Sequence, residues 1–152
     1  MTPSKLRQLV IADRVKWVRK MLAGVRSLPL DTYDDFCFDS RNIAAAESCL
    51  RRSLEALLDL ARHILAKAFG EAVAEYKQIS QELVRFEVLH REKGEKLRIL
   101  AGYRNRMVHF YHEISNQELY EICSHDVLDI EDVLEAILKW IRDHPEKIND
   151  EL

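Results

Sequence analysis

Residues 104 to 111 read Arg-Asn-Arg-Met-Val-His-Phe-Tyr, and no other stretch of the chain concentrates so many groups suited to handling a phosphodiester. An arginine grips phosphate oxygens through paired donors and keeps its proton at any biological pH. A histidine, with an ordinary pKa of about 6.5, takes up and returns a proton near neutrality. Arg104 and His109 are therefore the candidate catalytic pair. The chemistry that fits them is RNA cleavage, where a 2′-hydroxyl beside its own phosphate needs a base to remove its proton and a cation to hold the developing charge. That route calls for no metal and no cofactor, and DNA, lacking the 2′-hydroxyl, has no access to it. Asn105 precedes His109 by four residues and could orient it or hydrogen-bond the phosphate, while Arg106 adds positive charge. Tyr111 stays neutral below about pH 10 and could contact phosphate or stack on a base. Its hydroxyl is also an oxygen that another enzyme could modify, and a nucleotide attached there would set bulk and negative charge against substrate.

These side chains need elements to hold them. If 95–109 is a helix, Leu97, Ala101, Arg104 and Val108 fall on one stripe, which puts Arg104 on the packing face. A guanidinium there needs a carboxylate, a partner chain or an anionic ligand, unless only its stem packs while its head reaches water. Arg104 and His109 are separated by roughly 140° on an ideal helix. They share a site if the helix ends near His109, or if a second copy supplies the complementary half across a two-fold axis. Ser115 to Glu118 forms a capping box that opens a new helix, leaving His109 to Ile114 for the turn.

Elsewhere Thr2-Pro3 is expected to open a first helix carrying Leu6, Val10, Trp17 and Met21, stopped at Gly24. Ser40 is positioned to cap a long helix reaching Ala68, with Gly70 as a left-handed stop. Its Ile43, Leu50, Leu57 and Ile64 repeat every seven residues, so this helix should form the core's spine. A third helix is expected over 80–90, Lys93-Gly94 should separate it from the motif helix, and a last helix should run from Asp129 to His144-Pro145. The expected fold is all-α, a bundle of about five to six helices, with a single domain over 1–144 and a fraying tail over 145–152.

Composition limits the alternatives. Of 152 residues 47% are hydrophobic, with only four glycines and three prolines, which suits helices joined by short connections. A net charge of −3 removes any global basic field, so an RNA site must be a local patch. Cys37, Cys49 and Cys123 are odd in number and form no C-x-x-C, which fits free thiols in a reducing, cytoplasmic setting. No signal-peptide pattern is evident, and no apolar run approaches the roughly 20 residues that span a bilayer, so no membrane role is expected. Glu55, Asp59 and His63 form a polar line on the long helix. One helix supplies too few ligands for a metal; Asp59 or Glu55 is instead placed to neutralise Arg104 or orient His109, against an equally simple pairing with Arg51, Arg52 or Arg62. Trp17 and Trp140 are expected in the core or at a dimer interface, and Cys49 as an inert packing residue.

The octapeptide matches the R-x4-H-x-Y pattern of HEPN domains and most resembles the HepT-like toxins, as do Leu100-Ala101-Gly102-Tyr103 before it and Glu113-Ile114 after it. The helix order is similar from about 40 to 142. The resemblance implies a HEPN-like antiparallel bundle acting as a homodimer, and a metal-independent RNA endonuclease in a type VII-like toxin–antitoxin system with tRNA or mRNA as substrate. It also implies a minimal nucleotidyltransferase (MNT) antitoxin that transfers AMP to Tyr111. Arg104 and His109 would be catalytic, at a cleft between the two copies, and Asn105 the polar residue that follows the arginine. A non-catalytic helical module that binds a nucleotide or a nucleotidyltransferase is the alternative, and a purely structural adaptor a third.

Overall fold

The computed structural model describes residues 3–110 and 113–149. Seven α-helices follow one another: α1 (Gln8–Arg26), α2 (Tyr33–Phe38), α3 (Ser40–Phe69), α4 (Tyr76–Arg85), α5 (Arg91–His109), α6 (Asn116–Glu121) and α7 (Val127–Asp143). A π-helical turn, Ile122–Asp126, joins α6 to α7, so the described residues form six helical rods. The fold is the all-α bundle that composition and periodicity imply.

Helix α3 is the spine. Leu50, Leu54, Leu57, Leu58, Leu60, Ala61, Ile64 and Leu65 are all fully buried. Apolar side chains therefore leave α3 in several directions, and α1, α4, α5 and α7 pack around it. Asp39, not Ser40, caps its start, accepting from the Arg41 N–H at 2.9 Å. Gly70 ends it at φ 68°, with its N–H donating to the Ala66 carbonyl at 3.1 Å.

Two glycines expected to end or separate helices lie inside them. A Cβ on Gly24 would meet the Cys49 Sγ at 2.8 Å, because α1 crosses α3 there, and α1 continues to Arg26. A Cβ on Gly94 would collide with the Val84 side chain, where α5 approaches α4. In both places tertiary proximity, not local backbone freedom, accounts for the glycine. Helix α4 starts at Tyr76, four residues before the expected Ser80, and α5 starts at Arg91. On α5, Met107 is buried and Val108 is exposed, so the packing stripe drifts off the expected line at its C-terminal end. Trp140 is buried against Phe69, whereas Trp17 is partly exposed on α1.

The chain's two extremities are not purely helical. The N-terminal cap expected at Thr2 lies outside the described residues, and α1 begins only at Gln8. Leu6–Arg7 (β1) instead pairs in parallel with Ile148–Asn149 (β2), which follows a 3-10 turn at Pro145–Lys147. Leu6 is fully buried, Ile148 packs on the core, and the segment expected to fray is thus paired through Asn149. Among the described residues, no helix is long and apolar enough to cross a membrane.

Candidate active site

Arg104 leaves α5 towards α3 and the start of α4. Its side chain is 20% exposed, with Nε 3.4 Å from the Glu55 carboxylate and a terminal nitrogen donating to the Asn105 side-chain oxygen at 3.2 Å. Its guanidinium carbon lies 4.6 Å from the centre of the Tyr76 ring, a cation–π contact. An arginine has five N–H donors. Two long bonds leave the remainder without a partner among the described residues.

Tyr76 organises what surrounds it. Its hydroxyl donates to Asp59 at 2.8 Å, and a second guanidinium, that of Arg62, also lies 4.6 Å from its ring centre. Burial, reinforced by the Asp59 hydrogen bond, pushes the phenol up to about 12, so it remains a donor throughout the biological range. Arg62, Tyr76 and Lys77 share a cavity of about 550 Å³ with Arg104, Asn105 and His109. Among the described residues, three basic side chains, those of Arg62, Lys77 and Arg104, line that space with one carboxylate, Glu75.

His109 is the last residue of α5 and is exposed. The helix stops because Phe110 leaves the helical region at φ −136°, its N–H still donating to the Arg106 carbonyl at 2.8 Å. The two rings meet edge to face at 6.4 Å, and Phe110 is half exposed at the rim of the cavity. Arg104 and His109 line the same open space even though the helix stays regular through both. Cavity width, rather than a backward swing of His109, brings them to one site.

The supporting residues divide. Asn105 engages Arg104 and not His109. Arg106, expected to add free charge, is paired through both terminal nitrogens with Glu118 and also donates to the Glu113 carbonyl. The Glu118 hydrogen bond raises its pKa, and the charge is spent on joining α5 to α6. Asp59 neither neutralises Arg104 nor touches His109; its carboxylate is taken by Tyr76, and Glu55 meets Arg104 while also pairing with Arg51 at 3.2 Å. Both suggested roles for Glu55 are therefore realised at once. His63 turns elsewhere again, its Nε2 accepting the Arg7 N–H at 3.1 Å. Desolvation, helped by Lys67, lowers it to about 4, so it is neutral. Among the described residues no group of three or more His, Cys, Asp or Glu side chains is placed to hold a metal ion. Tyr111 lies outside the described residues. Spacing alone does not single out Tyr76 or Lys77, which precede the helix start expected at Ser80; it names Arg62 only as a partner for Glu55 or Asp59, and Phe110 only as part of the octapeptide.

The bundle shares its fold with solved HEPN toxins. The chain superposes on a tri-AMPylated Shewanella oneidensis HEPN toxin, solved in complex with an MNT antitoxin, with a TM-score of 0.76 and 19% identity, covering 86% of this chain and 97% of that one. It superposes on YutE, a Bacillus subtilis cytosolic protein of unknown function, with a TM-score of 0.73 and 19% identity, covering 91% and 93%. Residues 18–137 match the family described as Ribonuclease HepT-like, and the chain belongs to that family. Among curated relatives, it is 22% identical over 118 residues to a tRNA nuclease HepT of Aphanizomenon flos-aquae, covering 77% of this chain and 80% of the relative.

Proposed function

We propose that the protein is the toxin of a two-component toxin–antitoxin pair and acts as a metal-independent RNA endonuclease. One observation carries the reading: Arg104, with donors left over, and His109 line one cation-rich cavity of about 550 Å³. His109 takes the proton of the 2′-hydroxyl, the 2′-oxygen bonds to phosphorus, and the bond from phosphorus to the 5′-oxygen breaks. The products are a 2′,3′-cyclic phosphate and a 5′-hydroxyl end that has gained a proton. Arg104 holds the non-bridging oxygens as their charge grows. The tRNA nuclease relative supports an RNA substrate, with tRNA the first to test.

The chain works as a homodimer with two such sites facing one cleft. Its antitoxin is an MNT-type nucleotidyltransferase, a reading supported by the structural relative solved with such a partner. That partner attaches AMP to the Tyr111 hydroxyl, releasing pyrophosphate from ATP. The added phosphate sits two residues from His109 and repels RNA.

The test is incubation of the partner-free protein with total RNA and purified tRNA in EDTA, beside His109→Ala prepared in the same way. Cleavage by the wild type alone, leaving cyclic phosphate ends, supports the reading. Intact RNA with Tyr111 unmodified by mass spectrometry transfers it to a non-catalytic module that binds a nucleotide or its partner.

A further inference from the structure

The cavity holds a second cation that the cleavage reaction does not use. Arg62, on α3, is half-buried, and its Nε is shielded from solvent without a hydrogen-bond partner. Among the described residues it forms no ion pair; its contact is the face of Tyr76. Of the nearby acids, Asp59 is engaged by the Tyr76 hydroxyl and Glu55 by Arg51 and Arg104, while Glu75 borders the same cavity without an ion pair to Arg62 among the described residues. In a chain with more acidic than basic residues, a half-buried arginine left without an ion-pair partner among the described residues is poised for an anion from outside.

Its position says which anion. Arg62 and Arg104 each stand 4.6 Å from the same ring centre, so they lie within twice that distance of one another, and both line the cavity that holds His109. Lys77 borders the same space with an exposed side chain. We infer that Arg62 and Lys77 form a second phosphate subsite, which takes the phosphodiester next to the one Arg104 grips on the same RNA strand. Tyr76 is the shared shelf: its ring steadies both guanidiniums, and its hydroxyl removes Asp59 as a competitor for either. The strand then runs from Arg104 past the start of α4 towards Arg62 on α3, and full affinity requires a single-stranded stretch of at least two consecutive phosphates. This inference rests on the ribonuclease reading above.

The test measures binding of short RNAs whose scissile nucleotide is 2′-deoxy, which cannot react, over a series of salt concentrations. A dinucleotide with one phosphate is compared with the same dinucleotide bearing an added 5′- or 3′-terminal phosphate. For the wild type, one of the two additions is expected to steepen the salt dependence by about 0.7 in log–log slope, the value of one single-strand phosphate contact. Arg62→Gln should lose that increment and Arg62→Lys should keep most of it. Thermal melts monitor folding, and the wild-type comparison of the two ligands stands even if Arg62→Gln misfolds. No added slope with either phosphate in the wild type, or an undiminished one in a folded Arg62→Gln, overturns the subsite. Failure of the ribonuclease reading looks different: the wild type neither binds the dinucleotide nor cleaves its all-ribose form, whatever stands at 62.

Discussion

Arg104 and Arg106 lie two residues apart on one helix and meet opposite fates. Arg106 faces α6 and is closed into a two-pronged pair with Glu118, with about one third of each side chain exposed. Arg104 faces α3 and α4, where it finds a ring, one distant carboxylate oxygen and a neighbouring amide. The first environment satisfies a guanidinium; the second locates it and leaves donors over. A charge that is fully paired contributes to joining helices, whereas one that is positioned but incompletely paired can do work on a ligand. The same octapeptide thus contains one arginine that joins helices and one whose donors are left over for the ligand proposed above, told apart by what the neighbouring helices present.

The contrast breaks most visibly at Arg104. Arg104→Ala should lower RNA cleavage by about 100- to 1000-fold, as removal of a transition-state donor does, with little change in melting temperature. If cleavage instead survives, the two arginines are functionally alike. Tyr76→Phe keeps the shelf and frees Asp59, which lies one turn from Glu55, to compete with phosphate for Arg104. It should raise KM by up to about tenfold with kcat nearly unchanged, since one hydrogen bond is at stake. Adding Asp59→Asn should return KM towards the wild type. Arg106→Ala should show the opposite profile, a loss of about 1 kcal/mol, or roughly 2–4 °C in melting temperature, with cleavage retained.

A pH titration probes stability away from both arginines. His63 is lowered from 6.5 to about 4 in the folded protein, so the unfolded chain binds its proton first. Its contribution to stability is complete above pH 6.5 and is lost as the pH falls towards 4. Denaturant midpoints should decline over that window, and less so in His63→Gln.

Much of this was legible because the chemistry is local. Arg104 and His109 stand five residues apart, and a capping box marks the next helix, realised as the Ser115 Oγ accepting the Glu118 N–H at 3.1 Å. Periodicity also identified α3 as the spine and Gly70 as its stop. What was not legible depends on helices meeting. Tyr76 lies 28 positions from Arg104 in the chain, ahead of the helix start that the sequence suggests at Ser80, and nothing local ties the two together. Helical spacing placed Asp59 and Glu55 on the correct face, but the period assigns a face and not a partner. Gly24 and Gly94 read as breaks because an isolated glycine weakens a helix, and only the packed neighbours, Cys49 and Val84, reveal why a side chain is excluded. Arg106 looked like free charge because its acid is on another helix.

The pairing of Leu6–Arg7 with Ile148–Asn149 has a mechanical side. The two short strands are parallel, so a pull applied upstream of Leu6 and downstream of Asn149 draws them past one another along their length. Their rungs then carry the load together, in shear, instead of opening one at a time as an antiparallel pair pulled from one end would. A bundle whose helices would otherwise peel from the outermost rod inward is fastened by its least helical part, and force reaches α1 and α7 only after that clasp has slipped as a unit.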